Sequence, residues 1–263
     1  MKFGAMNNPR KNLVEEVKII GDQGFDYVDL TIEYPEATPE KIREMMPALK
    51  DALSSYDLTL VGHMPWFLHI IHPYDSVRAA ILSECDKIFS MCQELEIQHV
   101  TMHPDPMKLK REQTEVVART IESAKVLVEE ASKHNLTLNL ENFEEEYFSV
   151  ENLKQIFSQA DGLKFTLDVG HAFMKVKKTD NIVAMMTELK PYLNHVHMHD
   201  NHGFRDEHLP LGVGDIDFTK LVAGLKTIGY DKTITLEVHA EDREYQQISQ
   251  RKLKELWADT LLV

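Results

Sequence analysis

The sequence predicts an α/β protein built as a single (β/α)8 barrel over residues 1–263. Short strand-like runs alternate with longer amphipathic helical patterns eight times, and neither a linker nor a change in composition interrupts them. In two of the strands, polar side chains share one face and apolar side chains share the other. A barrel whose outer face packs against helices needs strands of this kind.

The first half of the chain supplies four predicted strand–helix pairs. Gly24 is typical of a helix end, whereas Thr38 followed by Pro39 is typical of a helix start. The predicted pairs are Lys2–Met6 with Asn12–Gly24, Tyr27–Glu33 with Thr38–Tyr56, Leu58–Met64 with Ser76–Glu96, and His99–His103 with Glu112–His134.

The second half repeats the pattern four times. The predicted pairs are Leu136–Glu141 with Val150–Gln159, Leu163–Asp168 with Asn181–Leu193, His195–His199 with Phe218–Ile228, and Thr233–His239 with Tyr245–Leu261. In the last strand Thr235, Glu237 and His239 share one face. We expect this face to line the barrel lumen and to reach the C-terminal mouth, where barrel enzymes keep their active sites.

Composition narrows the range of partners. The net charge of −14 disfavours nonspecific binding to DNA or anionic membranes, because such binding uses Lys and Arg to neutralise phosphates. No apolar run reaches the roughly 18 residues of a membrane span, and the start MKFGAMNNPRKN lacks a secretory or transit pattern. We expect a cytoplasmic protein without a membrane partner, and the oligomeric state stays open.

Cys85 and Cys92 would lie roughly 10 Å apart along one helix, too far for a disulfide, and are expected to be core thiols.

The stretch from His195 to Gly214, HVHMHDNHGFRDEHLPLGVG, contains five histidines and three carboxylates in twenty residues. Such side chains are costly to collect in one place unless hydrogen bonds or a metal ion satisfy their lone pairs. The stretch therefore predicts a divalent-metal site.

Candidate ligands also end six successive predicted strands, from the third to the eighth. They are His63, His103, Glu141, Asp168, His171, His197, Asp200, Asp206, His208 and Glu237. Each one alone is typical of an ordinary loop histidine or carboxylate, but together they would meet at one rim of the barrel. Imidazole and carboxylate donors without a thiolate indicate Zn²⁺ or Mn²⁺.

Several motifs carry a resemblance to a known family: GFDYVDL, HMPW, HP after the fourth strand, LENF, LDVGH, HVHMHDN, DEHLPLGVGDIDF and LEVH. In these motifs the chain resembles the xylose-isomerase-like TIM-barrel superfamily, which includes endonuclease IV, hydroxypyruvate isomerase, inosose dehydratase and the ketose 3-epimerases. Similarity to the isomerases and epimerases implies one metal ion held by Glu141, Asp168, His197 and Glu237. The two glutamates would also move protons. His171 and Arg205 would contact a small carbohydrate substrate.

Trp66 has two interpretations: it stacks on a sugar ring or base, or it packs against Phe67 and Leu68. Because of the first interpretation, we include Trp66 among the candidate substrate contacts.

Similarity to endonuclease IV implies more metal, because that enzyme's three-zinc cluster uses nine protein ligands and each has a counterpart here. The counterparts are His63, His103, Glu141, Asp168, His171, His197, Asp206, His208 and Glu237. Three departures disfavour nucleic acid as substrate: the first strand lacks His-x-Ser, Val213 replaces Glu in L-G-E-G, and Trp66 replaces tyrosine.

The leading hypothesis is a metal-dependent sugar isomerase or epimerase with one to three ions. The alternatives are a zinc phosphodiesterase and a noncatalytic carbohydrate-binding barrel.

Overall fold

Eight strands follow one another in chain order around a closed barrel, which confirms the predicted (β/α)8 TIM-barrel fold. The computed structural model describes residues 1–104, 112–143, 147–174 and 176–260. The chain divides into two compact units, the N-terminal unit of residues 7–164 and the C-terminal unit of residues 1–6 with 165–263. The expectation that residues 1–263 form one domain stays a prediction.

The elements follow in the order β1 (Lys2–Met6), α1 (Leu13–Asp22), β2 (Tyr27–Thr31), α2 (Pro39–Ser55), β3 (Thr59–His63), α3 (Asp75–Glu94), β4 (His99–Met102), α4 (Gln113–Lys133), β5 (Thr137–Glu141), α5 (Val150–Gln159), β6 (Lys164–Asp168), α6 (Val169–Phe173), α7 (Thr179–Glu188), β7 (Leu193–Met198), α8 (Phe218–Thr227), β8 (Thr233–Leu236) and α9 (Glu244–Asp259).

In the N-terminal unit, β2 to β5 pair in parallel, and the helix starts follow the sequence signals. The Thr38 hydroxyl accepts a hydrogen bond from the Lys41 N–H at 3.4 Å, with Pro39 in the first turn. The Asn12 side chain caps α1 in the same way, at 3.2 Å from the Glu15 nitrogen. Cys85 and Cys92 are buried free thiols of α3, as predicted.

In the C-terminal unit, β6, β7, β8 and β1 pair in parallel. The register sets Asp168 beside His197, and His197 beside Thr235. Because successive side chains alternate between faces, His195 and His197 point to the same side of β7. The pairing of these strands therefore fixes the backbone positions of Asp168 and His197.

Several boundaries differ from the sequence prediction; for example, Leu193, the predicted end of a helix, begins β7. Two differences bear on the site. A short helix, α6, follows Asp168 directly, because the Asp168 carboxylate accepts the His171 N–H at 2.6 Å and so caps a new turn. Strand β8 ends at Leu236 rather than at His239. The Glu237 N–H still donates to the carbonyl of Met198 in β7, but the His239 N–H donates to the carbonyl of His208 in a loop. The chain leaves the sheet at this point.

Among the described residues, no helix is both long and apolar enough to span a bilayer. The predicted end of the last helix, Leu261, lies outside the described residues.

Candidate metal centre

The N-terminal unit brings together three of the predicted ligands: His63, His103 and Glu141. The His103 Nε2 atom lies 3.2 Å from Glu141 Oε1, and His63 Nε2 lies 3.7 Å from Glu141 Oε2. The two imidazole rings meet edge to face, with centroids 4.8 Å apart. One donor atom from each of the three residues falls within 4.8 Å of the others. Two imidazole nitrogens and a buried carboxylate form a donor set suited to Zn²⁺ or Mn²⁺.

In the C-terminal unit, Asp168 ends β6, His197 lies near the end of β7 and Glu237 follows β8 directly. All three are buried. The His197 Nδ1 atom lies 3.3 Å from Glu237 Oε2, and the strand register places Asp168 beside His197. Three neighbouring strand ends thus carry two carboxylates and an imidazole, and their joint binding of one metal ion stays a prediction.

Asp206 is the centre of a second group in this unit. One of its oxygens, Oδ2, lies 2.8 Å from His208 Nε2 and 3.2 Å from His171 Nε2. Burial opposes the charge of Asp206, but hydrogen bonds from His171 and His208 outweigh that effect and hold its pKa well below the usual range. Burial likewise lowers the pKa of His208, but the negative charges of Glu237 and Asp206 raise it to about 9.

Three histidines form a stack beside Asp206. The His208 ring lies between those of His199 and His239, with centroids 4.1 Å and 4.0 Å away and nearly parallel planes. The buried His199 Nε2 atom lies 3.3 Å from Asp168 Oδ1 and 3.5 Å from Asp206 Oδ1. His199 is not among the ligands predicted from the sequence, although its even spacing from His197 and His195 is a signal that all three share a face.

Asp200 organises the loop that carries Asp206 and His208. Its buried carboxylate accepts hydrogen bonds from four backbone N–H groups, at 2.9, 2.8, 2.9 and 3.2 Å. The donors are Asn201, Gly212, Gly214 and Ile216. A pair of backbone hydrogen bonds between Asp200 and Leu209, both 2.9 Å, closes the loop. Asp200 was a rim candidate in the sequence, and the structure places it as a backbone acceptor.

Glycine is required at two close approaches around this loop. A Cβ atom at Gly170 would overlap the imidazole of His199. A Cβ atom at Gly214 would overlap the carbonyl oxygen of Asn201 and crowd the Asp200 carboxylate. The glycines of LDVGH and LGVG therefore leave the space in which the His199 ring and the Asp200 carboxylate sit.

Below the ligands, His195 is held by two threonines of β8. Its Nδ1 atom lies 2.7 Å from Thr233 Oγ1, and its Nε2 atom lies 3.0 Å from Thr235 Oγ1. Both ring nitrogens are engaged in the barrel interior, which favours a structural role for this histidine.

The two remaining predicted substrate contacts lie on exposed loops. The Arg205 side chain is 81% exposed, with Nε 3.6 Å from Glu207 Oε1. Trp66 is 54% exposed and meets Phe67 edge to face at 5.7 Å, so the predicted packing contact is present. A stacking role for Trp66 on a sugar and a substrate role for Arg205 stay predictions.

The fold and these buried donor groups define a (β/α)8 barrel with candidate metal ligands at its strand ends. Residues 17–258 match the family described as xylose isomerase-like TIM barrel, and the chain belongs to this family. The protein MJ1311 of Methanocaldococcus jannaschii is 27% identical over 249 residues, which cover 90% of this chain and 83% of that protein.

Solved structures of sugar epimerases share the fold. A D-tagatose 3-epimerase-like protein superposes with a TM-score of 0.83 at 27% identity, over 98% of this chain and 97% of that chain. The 3-keto-D-glucoside 4-epimerase YcjR of E. coli gives a TM-score of 0.79 at 18% identity, over 97% and 99% of the two chains. IolI, solved with a zinc atom, gives a TM-score of 0.78 at 17% identity, over 98% of this chain and 97% of that chain. At identities this low, the last two likenesses concern the fold alone.

Proposed function

We propose that this chain is a divalent-metal-dependent isomerase or epimerase that acts on a small sugar, sugar phosphate or related polyol. The observation that carries the proposal is the buried set of Asp168, His197 and Glu237 at three neighbouring strand ends. Membership of the xylose isomerase-like family and the fold shared with sugar epimerases support it. A cytoplasmic location belongs to the same proposal.

Glu141, Asp168, His197 and Glu237 would hold one Zn²⁺ or Mn²⁺, since their nitrogen and oxygen donors suit either ion. When bound, the ion supplies Lewis acidity to the adjacent hydroxyl and carbonyl oxygens of a sugar. Glu141 and Glu237 are the proposed proton carriers: one removes the proton from the carbon that bears the hydroxyl, and a glutamate returns it to a carbon. His171, Arg205 and Trp66 are the proposed substrate contacts.

Proton transfer at carbon gives a test that applies whichever stereochemistry the reaction has. The Mn²⁺- or Zn²⁺-loaded protein is incubated with a panel of ketoses in D₂O, and NMR follows the incorporation of deuterium at carbon. We expect wild type to exchange at least one ketose and Glu237→Gln to lose exchange by about 100-fold or more, with an unchanged circular dichroism spectrum. Glu207→Gln, in the loop after β7 and bonded to His202, is the matched control.

Full exchange in Glu237→Gln would contradict the proposal. Sugar binding by wild type without any exchange would instead indicate the noncatalytic barrel.

The second candidate is an endonuclease IV-like zinc phosphodiesterase. The observation that favours it is the number of donors beyond the four that would hold one ion: His63 and His103 in one unit, and His171, Asp206 and His208 in the other. Several neighbouring ions suit phosphodiester hydrolysis. Cleavage of an abasic-site duplex by protein holding three zinc ions, without ketose exchange, would establish it in place of the isomerase.

A further inference from the structure

Helices α3 and α4 of the N-terminal unit carry a further group of metal-binding side chains, here called the helix cluster. It consists of Asp86 on α3, Glu130 on α4 and His134, which caps the C-terminal end of α4. One donor atom from each of the three lies within 4.8 Å of the others. His134 comes shortly before β5 begins, whereas Glu141 ends that strand. The helix cluster therefore lies toward the opposite end of β5 from Glu141.

Gln93 sets the orientation of the His134 ring. Its side-chain oxygen Oε1 lies 3.1 Å from His134 Nδ1. An amide oxygen only accepts, so Nδ1 donates, and the neutral ring directs the Nε2 lone pair at Asp86 Oδ1, 2.9 Å away. Ligand histidines are commonly held in this way, with one ring nitrogen donating to an oxygen and the other facing the metal. A cation between Nε2 and the carboxylate would turn a contact between two lone pairs into an attractive one.

The second carboxylate of the helix cluster favours a divalent ion over a proton. A proton on His134 Nε2 would satisfy one oxygen of Asp86, but Glu130 also brings a donor oxygen to the same place. Glu130 and His134 are four residues apart, the spacing at which two side chains on one face of a helix bind a single Zn²⁺. A neutral imidazole and two carboxylates together carry two negative charges, which a divalent ion neutralises. The dipole of α4 adds to this, because it favours positive charge at the C-terminal end.

We propose that Asp86, Glu130 and His134 bind a divalent cation of the Zn²⁺ class, which links α3 to α4. Three protein donors leave the fourth position of a tetrahedral zinc ion to water. All three side chains are partly exposed, so an ion can reach them from solvent. Lys133 competes with the ion, because its Nζ atom lies 2.7 Å from Glu130 Oε2. The proposal goes beyond the proposed function, since this cation takes no part in the reaction of a sugar.

The test is zinc binding at His134. Chelator-stripped protein with isotope-labelled histidine is brought to equilibrium with Zn²⁺ by dialysis, elemental analysis gives the bound equivalents, and NMR follows the imidazole signals. We expect His134→Gln to bind one equivalent fewer than wild type, and the His134 signals of wild type to shift with zinc. His72→Gln is the matched control, because His72 lies in the same unit and its Nδ1 atom accepts the Tyr74 N–H at 3.2 Å. It should keep the wild-type equivalents.

A Lys133→Gln variant should act in the opposite direction. Removal of the competing ammonium group should lower the zinc Kd of the helix cluster by about 2- to 5-fold, as expected for the loss of an exposed ion pair. If His134→Gln keeps every equivalent, or if the His134 signals respond to pH but not to zinc, the helix cluster is an ion pair without a metal and the proposal is wrong. Ketose exchange decides the proposed function separately, so either proposal can fail without the other.

Discussion

The two groups of candidate ligands are built on different supports. In the N-terminal unit, His63 and Glu141 end strands β3 and β5, and His103 follows β4 directly. In the C-terminal unit, Asp206 and His208 lie on the long loop after β7. The backbone hydrogen bonds of the sheet hold a strand end in position, whereas a loop residue needs other hydrogen bonds to hold it. The four backbone hydrogen bonds to Asp200 supply them.

Two different sets of hydrogen bonds therefore position the candidate ligands: those of the sheet for the strand ends, and those to Asp200 for the loop. Strand-borne ligands should tolerate changes in the loops and respond mainly to loss of their own donor atoms. Loop-borne ligands should be lost together when the loop's internal acceptor is removed, even if every donor atom is kept.

The largest expected effect separates two strand-borne residues, His197 in the C-terminal unit and His63 in the N-terminal unit. If the ion held by Asp168, His197 and Glu237 supports catalysis, His197→Gln should lower kcat/KM for ketose exchange by about 100-fold or more, because a metal ligand is lost. His63→Gln should lower it by less than about 10-fold. The two variants are compared in the same deuterium-exchange assay, at saturating metal.

Equal losses in the two variants would contradict this separation. They would show that His63 and His197 matter equally for exchange, which would favour the phosphodiesterase candidate.

An intermediate effect is expected from Asp200→Ala, which removes the acceptor of four backbone N–H groups. Each buried donor left without a partner costs about 1–3 kcal/mol, and the hydrogen bonds from Asn201 and Ile216 are the buried ones of the four. We expect the free energy of unfolding to fall by roughly 3 kcal/mol or more, and, in the multinuclear zinc candidate, one equivalent of zinc to be lost. Urea denaturation and elemental analysis measure these changes.

Asp217→Ala is the control, because the Asp217 carboxylate accepts one N–H, that of Lys220 at the start of α8. Its loss should cost about 1 kcal/mol and leave the metal content unchanged. A cost for Asp200→Ala no larger than this would show that the loop holds its shape by other means.

The smallest expected effect belongs to the N-terminal unit alone. Burial raises the pKa of the Cys92 thiol in α3 from 9.0 to about 12. A folded-state pKa above the unfolded value gives stability that is complete below about pH 9 and is lost as the pH rises toward 12. At pH 10 the loss is about 1 kcal/mol for this thiol. Cys92→Ala should flatten the alkaline slope of unfolding free energy, and an unchanged slope would contradict the assignment.

The sequence sufficed for the fold and for the positions of the strand-end side chains, because both follow from periodicity. Alternation along β5 and β8 predicted which side chains face inward, and the parallel barrel then brought strand ends such as Asp168 and His197 side by side. The buried thiols and the helix cap at Thr38 were also predicted correctly, because each depends only on residues close by in the sequence.

The features that escaped prediction depend on contacts distant in sequence. The acceptor role of Asp200 needs backbone groups 12 to 16 residues later, and nothing in the motif alone indicates where those N–H groups point. Strand β8 ends early because His239 bonds to His208, 31 positions before it. The His199 contacts depend on the turn of α6, which the sequence pattern did not reveal.

The Asp200 carboxylate also bears on how quickly and how tightly ions bind. The loop from 200 to 216 is held by the chain's own hydrogen bonds, so the conformational entropy of ordering it is lost during folding rather than at ion uptake. Ion binding should then proceed without a coupled disorder-to-order transition, and its heat-capacity change should be small.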